Sequence, residues 1–187
     1  SLTKTLNSLT ETKNEEEKLK NKEWNSCLFQ VLITLITYQK VFKFTHNDLH
    51  TNNIMYINTE KKHLYYKFNN KYYKVPTYGR IYKIIDFGRS IYKYKKKIFC
   101  SDCFHPKGEA EGQYNCEPYY NSKKRIVNPN YSFDLCRLGC ALFDDFVEKM
   151  ENMDNIKNPI AKQIIEWCKD DKNESVIYKP SGEERYK

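Results

Sequence analysis

Asp48 and Asn53 share one short loop, His46-Asn47-Asp48-Leu49-His50-Thr51-Asn52-Asn53, and Asp86 closes the mostly apolar run Ile81-Tyr82-Lys83-Ile84-Ile85 just ahead of Phe87-Gly88. Asn53 and Asp86 offer hard oxygen ligands suited to magnesium, which takes one or two protein groups together with substrate phosphates. Asp48 is a carboxylate able to orient an attacking hydroxyl and accept its proton. A set of this kind can move a phosphoryl group, a reaction that asks the protein for positioning and charge stabilisation rather than covalent chemistry.

Taken singly, His-x-Asp-Leu is an unremarked loop and Asp-Phe-Gly an ordinary strand-to-turn tripeptide. Here they agree in order and spacing, and their flanks fit: Ile54-Met55-Tyr56-Ile57 reads as a strand after the loop and 81–85 as its partner. Together they resemble the eukaryotic-type protein kinase family over its catalytic large lobe. The resemblance implies ATP and Mg2+ as cofactors, with Asp48 at the substrate hydroxyl and Asn53 and Asp86 on the metal. It also implies Met55 beneath the adenine, and His46, Phe87 and Gly88 in structural support. His50 falls where the family carries a lysine that contacts the transferred phosphate, so it joins the catalytic candidates.

A second anchor lies at Ser132-Phe133-Asp134-Leu135-Cys136-Arg137-Leu138-Gly139, which resembles the start of the family's long central helix. By that resemblance Asp134 bonds backbone amides around His46. Ser132 or Asp134 acting as a plain helix N-cap is the competing reading. Leu135, Leu138, Leu142, Phe143 and Phe146 recur on one face and predict the helix itself.

Three departures from the family pattern bear on substrate and regulation. The arginine before the catalytic aspartate is Asn47, the loop lysine is His50, and no Ala-Pro-Glu closes the activation segment, where Cys116-Glu117-Pro118 stands instead. Asp-Leu-His resembles small-molecule phosphotransferases of the aminoglycoside and choline type, whereas Asp-Phe-Gly and Asp134 favour protein kinases. The whole is similar to kinase-like proteins of large DNA viruses.

The elements that must hold these groups begin with a buried helix over 24–40, predicted by Leu28, Val31, Leu32, Leu35 and Ile36 and too short in its apolar stretch to cross a bilayer. Residues 64–68 and 71–75, hinged at Asn69-Asn70, predict an inserted hairpin, and Pro76-Thr77-Tyr78-Gly79 a turn back toward Asp86. The fold class expected is α+β: a kinase-like large lobe, mainly helical with short strands. Residues 1–23 read as a polar linker or helix and 24–187 as a truncated large lobe. No Gly-rich loop precedes Asp48, so the small nucleotide lobe is expected to be absent from this fragment and to join it in cis from the rest of the protein, the fragment being inactive alone.

A net charge of +8 and a pI near 9.0 suit an acidic partner. Lysine is spread among Asn, Ile and Tyr, however, as AT-rich codons also produce, and its densest run, Lys93-Tyr94-Lys95-Lys96-Lys97, reads as a solvated surface. With no helix-turn-helix or RNA-binding signature, nucleic acid ranks low. Seven cysteines, an odd number, predict a reduced, cytoplasmic protein, in a host cell if viral. Cys100, Cys103, His105 and Cys116 have zinc-ligand chemistry but lack a second tight pair, so free thiols are the default. The expected function is a protein kinase lobe acting on a Ser or Thr hydroxyl of a protein substrate. A non-catalytic kinase-like scaffold and a small-molecule phosphotransferase are the alternatives.

Overall fold

Glu15–Phe42 forms the longest element, helix α1, in a computed structural model that describes residues 15–113, 127–148, 156, 158–178, 181 and 183. The helix begins ahead of the expected 24–40 because Glu, Lys and Leu in its first turns are strong helix formers even where no apolar stripe marks them. Residues 1–14, and with them part of the expected linker, lie outside the described residues, as does Cys116-Glu117-Pro118. Trp24, Cys27, Leu28, Val31 and Leu35 recur at helical spacing and enter the main core.

Two further helices meet α1 there. Helix α2, Phe133–Phe143, buries Leu138, Leu142 and Phe143 and runs on into a wider-wound turn, Asp144–Glu148. Helix α3, Pro159–Trp167, starts where Asn158 Oδ1 accepts from the amides of Ile160 (2.9 Å) and Ala161 (3.4 Å), with proline at the first helical position. A methyl group on Gly139 would sit 2.9 Å from Cβ of Trp167, so α2 and α3 touch along backbone.

The strands form three separate antiparallel ribbons: β1 (Ile54–Asn58) with β4 (Arg80–Ile84), β2 (His63–Phe68) with β3 (Lys71–Pro76), and β5 (Tyr92–Tyr94) with β6 (Lys97–Phe99). A lone two-stranded ribbon is marginal in water and needs a helix to lean on. The β2–β3 hairpin turns at Asn69 and Asn70 (φ 47° and 59°) and packs Tyr66 and Tyr73 against Phe29 of α1, ring centroids 5.6 and 5.2 Å away. The β1–β4 ribbon buries Ile54 and Ile84 on the same helix, in register with each other.

One edge of β4 is closed by a side chain. Gln30, buried on α1, accepts from the amide of Tyr82 (3.0 Å) and donates to the carbonyl of Arg80 (3.4 Å) and to Ser26 Oγ (3.2 Å). An edge strand otherwise leaves such groups unpaired. This pins to α1 the strand that leads to Asp86. Ile91, Cys103, Phe104, Ala110 and Val127 form a second, smaller core beneath the loops after β4. No helix among the described residues is long and apolar enough to cross a membrane.

Candidate functional site

The loop carrying Asp48 is held from two sides. On one, Thr45 and Ile91 exchange backbone bonds in both directions, 2.8 and 2.9 Å. Next along, His46 Nε2 meets the carbonyl of Ile85 at 2.8 Å while its Nδ1 accepts from the amide of Asp48 at 3.3 Å. A carbonyl can only accept, so the ring is the Nε2–H tautomer. Asn47, in the left-handed region at φ 65°, donates its side-chain amide to the Arg89 carbonyl at 2.8 Å. Asn adopts that backbone conformation far more readily than a long side chain. Gln113 Nε2 in turn donates to the Asn47 carbonyl at 2.6 Å.

From the other side comes Asp134 at the head of α2. Its Oδ2 accepts from the amide of His46 and its Oδ1 from that of Asn47, each at 2.7 Å, and the residue is fully buried. Burial is the largest influence on this carboxyl and pushes it above the usual range, against the pull of the two amides. Both oxygens act as acceptors, which is the arrangement of the ionised form. Ser132 makes no side-chain cap bond, and the Asp134 carboxylate reaches across to the loop.

Asn53 ends the 3-10 turn Thr51–Asn53, where its Nδ2 donates to the Asp48 carbonyl at 2.9 Å and approaches His50 Nε2 at 3.3 Å. Its own carbonyl accepts from the amide of Ile85 at 3.0 Å. That bond extends the β1–β4 ladder by one step and brings Asn53 beside the residue preceding Asp86. Asp86 takes a left-handed conformation (φ 62°), is exposed, and its Oδ1 accepts from the Gly88 amide at 3.3 Å. The Asn53 amide oxygen and the Asp86 carboxylate therefore stand at one end of one ribbon. Both are hard oxygen donors, the ligand chemistry magnesium takes when phosphates supply its other positions. Among the described residues no group of three His, Cys, Asp or Glu converges on a point.

Asp48 faces two nitrogen-bearing side chains. Arg89 Nη1 lies 3.4 Å from its Oδ1, and His50 Nε2 lies 3.8 Å from its Oδ2. His50 is not a firm cation there: burial depresses its pKa by more than the Asp48 charge raises it, and Arg137, His46 and Arg89 depress it further. Of the two side chains facing Asp48, Arg89 carries the lasting positive charge, and the sequence did not single it out. Its neighbour motif Asp86-Phe87-Gly88 was the available signal.

Phe87 packs its ring on His46 (centroids 5.5 Å) and on Phe44 (5.8 Å), yet stays 45% exposed. With Tyr38, Phe42, Phe44 and Tyr92 it lines an apolar cavity of about 280 Å³. Met55, on β1 opposite Lys83, is 42% exposed. The zinc candidates do not assemble among the described residues: Cys103 is bonded by Ser101 Oγ at 2.8 Å, burial raises the Cys100 thiol, and Cys116 lies outside them. The lysine run forms the β5–β6 hairpin, turning at Lys95 and Lys96 (φ 46° and 66°).

No family model matches the chain. Over 87 residues it is 37% identical to the uncharacterized protein 098R of Invertebrate iridescent virus 6, a match that covers 42% of this chain. The chain spans 14% of the length of that relative.

Proposed function

We propose that this chain is the hydroxyl-accepting, metal-holding part of an ATP-dependent phosphotransferase that acts on a Ser or Thr hydroxyl of a protein. The observation that carries the reading is the two-point grip of Asp134 on the amides of His46 and Asn47, 2.7 Å each. A buried carboxylate bonded to consecutive loop amides is a costly way to hold a loop. It makes sense where a small misplacement of the next residue, Asp48, is costly to a rate.

On this reading Asp48 orients the substrate hydroxyl and takes its proton. Asn53 and Asp86 hold magnesium, and Arg89 keeps a fixed charge against Asp48 and the region it faces. Bound Mg-ATP would supply the transferable phosphoryl group and the neutralising charge. Phe87, next to Asp86 in the chain, and Met55, two residues after Asn53, are exposed large apolar side chains that a nucleotide and its covering lobe would bury. That lobe would come from protein outside residues 1–187, in keeping with the small share of the viral relative that the chain spans.

The reading is tested on the chain itself by adding manganese, a paramagnetic substitute for magnesium, together with ATP and following backbone amide signals. Line broadening centred on Asn53 and Asp86 is expected. Broadening centred instead on remote acids such as Asp102 or Asp170 would overturn the metal assignment.

A further inference from the structure

Lysine runs along the whole chain, but the net positive charge is concentrated in one stretch. Residues 61–99 hold ten lysines and two arginines against a single acid, Asp86, while the whole chain is only +8. Outside that stretch acids outnumber bases. Half of the sixteen tyrosines fall in the same stretch.

The β2–β3 hairpin sorts these residues by face. Leu64, Tyr66, Tyr73 and Val75 turn toward α1 or lie partly covered, whereas Tyr65, Lys67, Tyr72 and Lys74 alternate with them and are exposed. Cross-strand register sets Tyr65 opposite Lys74 and Lys67 opposite Tyr72. The two tyrosines therefore sit on a diagonal, about 7–8 Å apart on an antiparallel ladder. They are 74% and 78% exposed, the barest of the large apolar and aromatic side chains described, and Lys67 Nζ stands 5.4 Å from the Tyr72 ring centre. Lys61 and Lys62 extend the same charge at the hairpin's open end.

We propose that the outer face of this hairpin binds single-stranded nucleic acid, with bases stacking on Tyr65 and Tyr72 and phosphates meeting Lys67 and Lys74. Exposed rings interleaved with cations are what an unpaired strand requires, since every base has a face to stack and every linkage a negative charge. A membrane surface fits less well: the face presents no Phe, Leu or Trp to enter the acyl layer. An acidic peptide fits less well too, because carboxylates are best met by the planar fork of arginine, and the face has none. The assignment stands apart from the phosphotransfer reading and does not depend on it. It reverses the low rank given to nucleic acid from sequence, which rested on the lack of a helix-turn-helix or RNA-binding signature.

The test is fluorescence anisotropy of a labelled oligothymidylate of about a dozen nucleotides with the 187-residue chain, at about 50 and 200 mM salt. Binding is expected to weaken with salt, and Lys67→Ala should lower the logarithmic salt slope by about 0.7. Tyr65→Ala with Tyr72→Ala should weaken binding at least about tenfold, while the Phe pair retains it, because stacking needs the ring and not the hydroxyl. Circular dichroism guards against misfolding, and Lys67→Glu with Lys74→Glu gives an independent second variant, expected to abolish binding. Wild-type affinity in either folded double variant overturns the proposal. So does polyglutamate or an anionic phosphatidylserine vesicle that binds the chain when the oligonucleotide does not.

Discussion

The guanidinium of Arg89 stands 3.4 Å from the Asp48 carboxylate, although the two residues come from different segments. The Asn47 side chain donates to the Arg89 carbonyl, so the residue just before Asp48 holds the backbone from which this guanidinium projects. With burial holding His50 toward its neutral form, Arg89 is the cation of the two side chains that face Asp48.

Arg89→Ala should therefore lower phosphate transfer by the full-length polypeptide about a hundredfold, in line with losing one preorganised charge at a transition state. Arg89→Lys should recover part of that, since the charge returns without the fork. Steady-state rates for the three proteins decide it. Equal rates would make the contact a surface ion pair, worth little.

Asp134→Asn distinguishes a carboxylate clamp from a helix cap. Asn and Asp cap helices about equally well, so a cap would tolerate the change. Here the amide would offer one acceptor for two N–H donors and set its own NH2 against the other. A loss of about 1–3 kcal/mol in urea denaturation is expected, with transfer activity falling further than stability does. A variant within a few tenths of wild type in both would remove Asp134 from the account.

Gln30→Leu probes the scaffold behind Asp86. The leucine keeps the volume but strands the Tyr82 amide and the Arg80 carbonyl at the edge of β4. Denaturation should show a loss of about 1–3 kcal/mol, the cost of buried groups left unpaired. No change would mean that water closes that edge as well as Gln30 does.

Much of this frame could be read from sequence, and what could not has a physical reason. Apolar spacing marked α1 and the head of α2, and Asn69-Asn70 marked the β2–β3 turn, because periodicity and left-handed tolerance are local properties. The β5–β6 turn gave no such signal, since lysines carry no preference for the positive φ that Lys95 and Lys96 adopt. Asn158-Pro159 is a readable start for α3, a capping residue followed by proline at the first helical position. Gln30 and Arg89 were invisible for a different reason: their partners are backbone groups and side chains far along the chain, and no spacing rule reports such pairs. Asp134 could be associated with the loop only through resemblance; the bonds themselves need the fold.

His50 should leave a mark on pH dependence. Its folded pKa lies below the ordinary value, so the unfolded chain takes up the proton more readily. The stability it contributes is present above the unfolded value near 6.5 and is lost as pH falls toward the folded one. Melting temperatures between about pH 5 and 8 should drop more steeply on the acid side for the wild type than for His50→Gln. Parallel curves would contradict the depressed pKa.

The most direct measurement is transfer of labelled γ-phosphate from ATP to a protein substrate by the full-length polypeptide containing residues 1–187, with and without magnesium. Wild-type protein should label Ser or Thr only when magnesium is present. Asp48→Asn and Asp86→Asn should each lower that labelling by at least about a hundredfold with melting temperature little changed, because asparagine keeps the acceptor that Asp86 offers the Gly88 amide and the partly exposed ion pairs of Asp48 are worth little. Wild-type labelling in either variant would contradict the account, as would label that goes to choline or an aminoglycoside and not to protein.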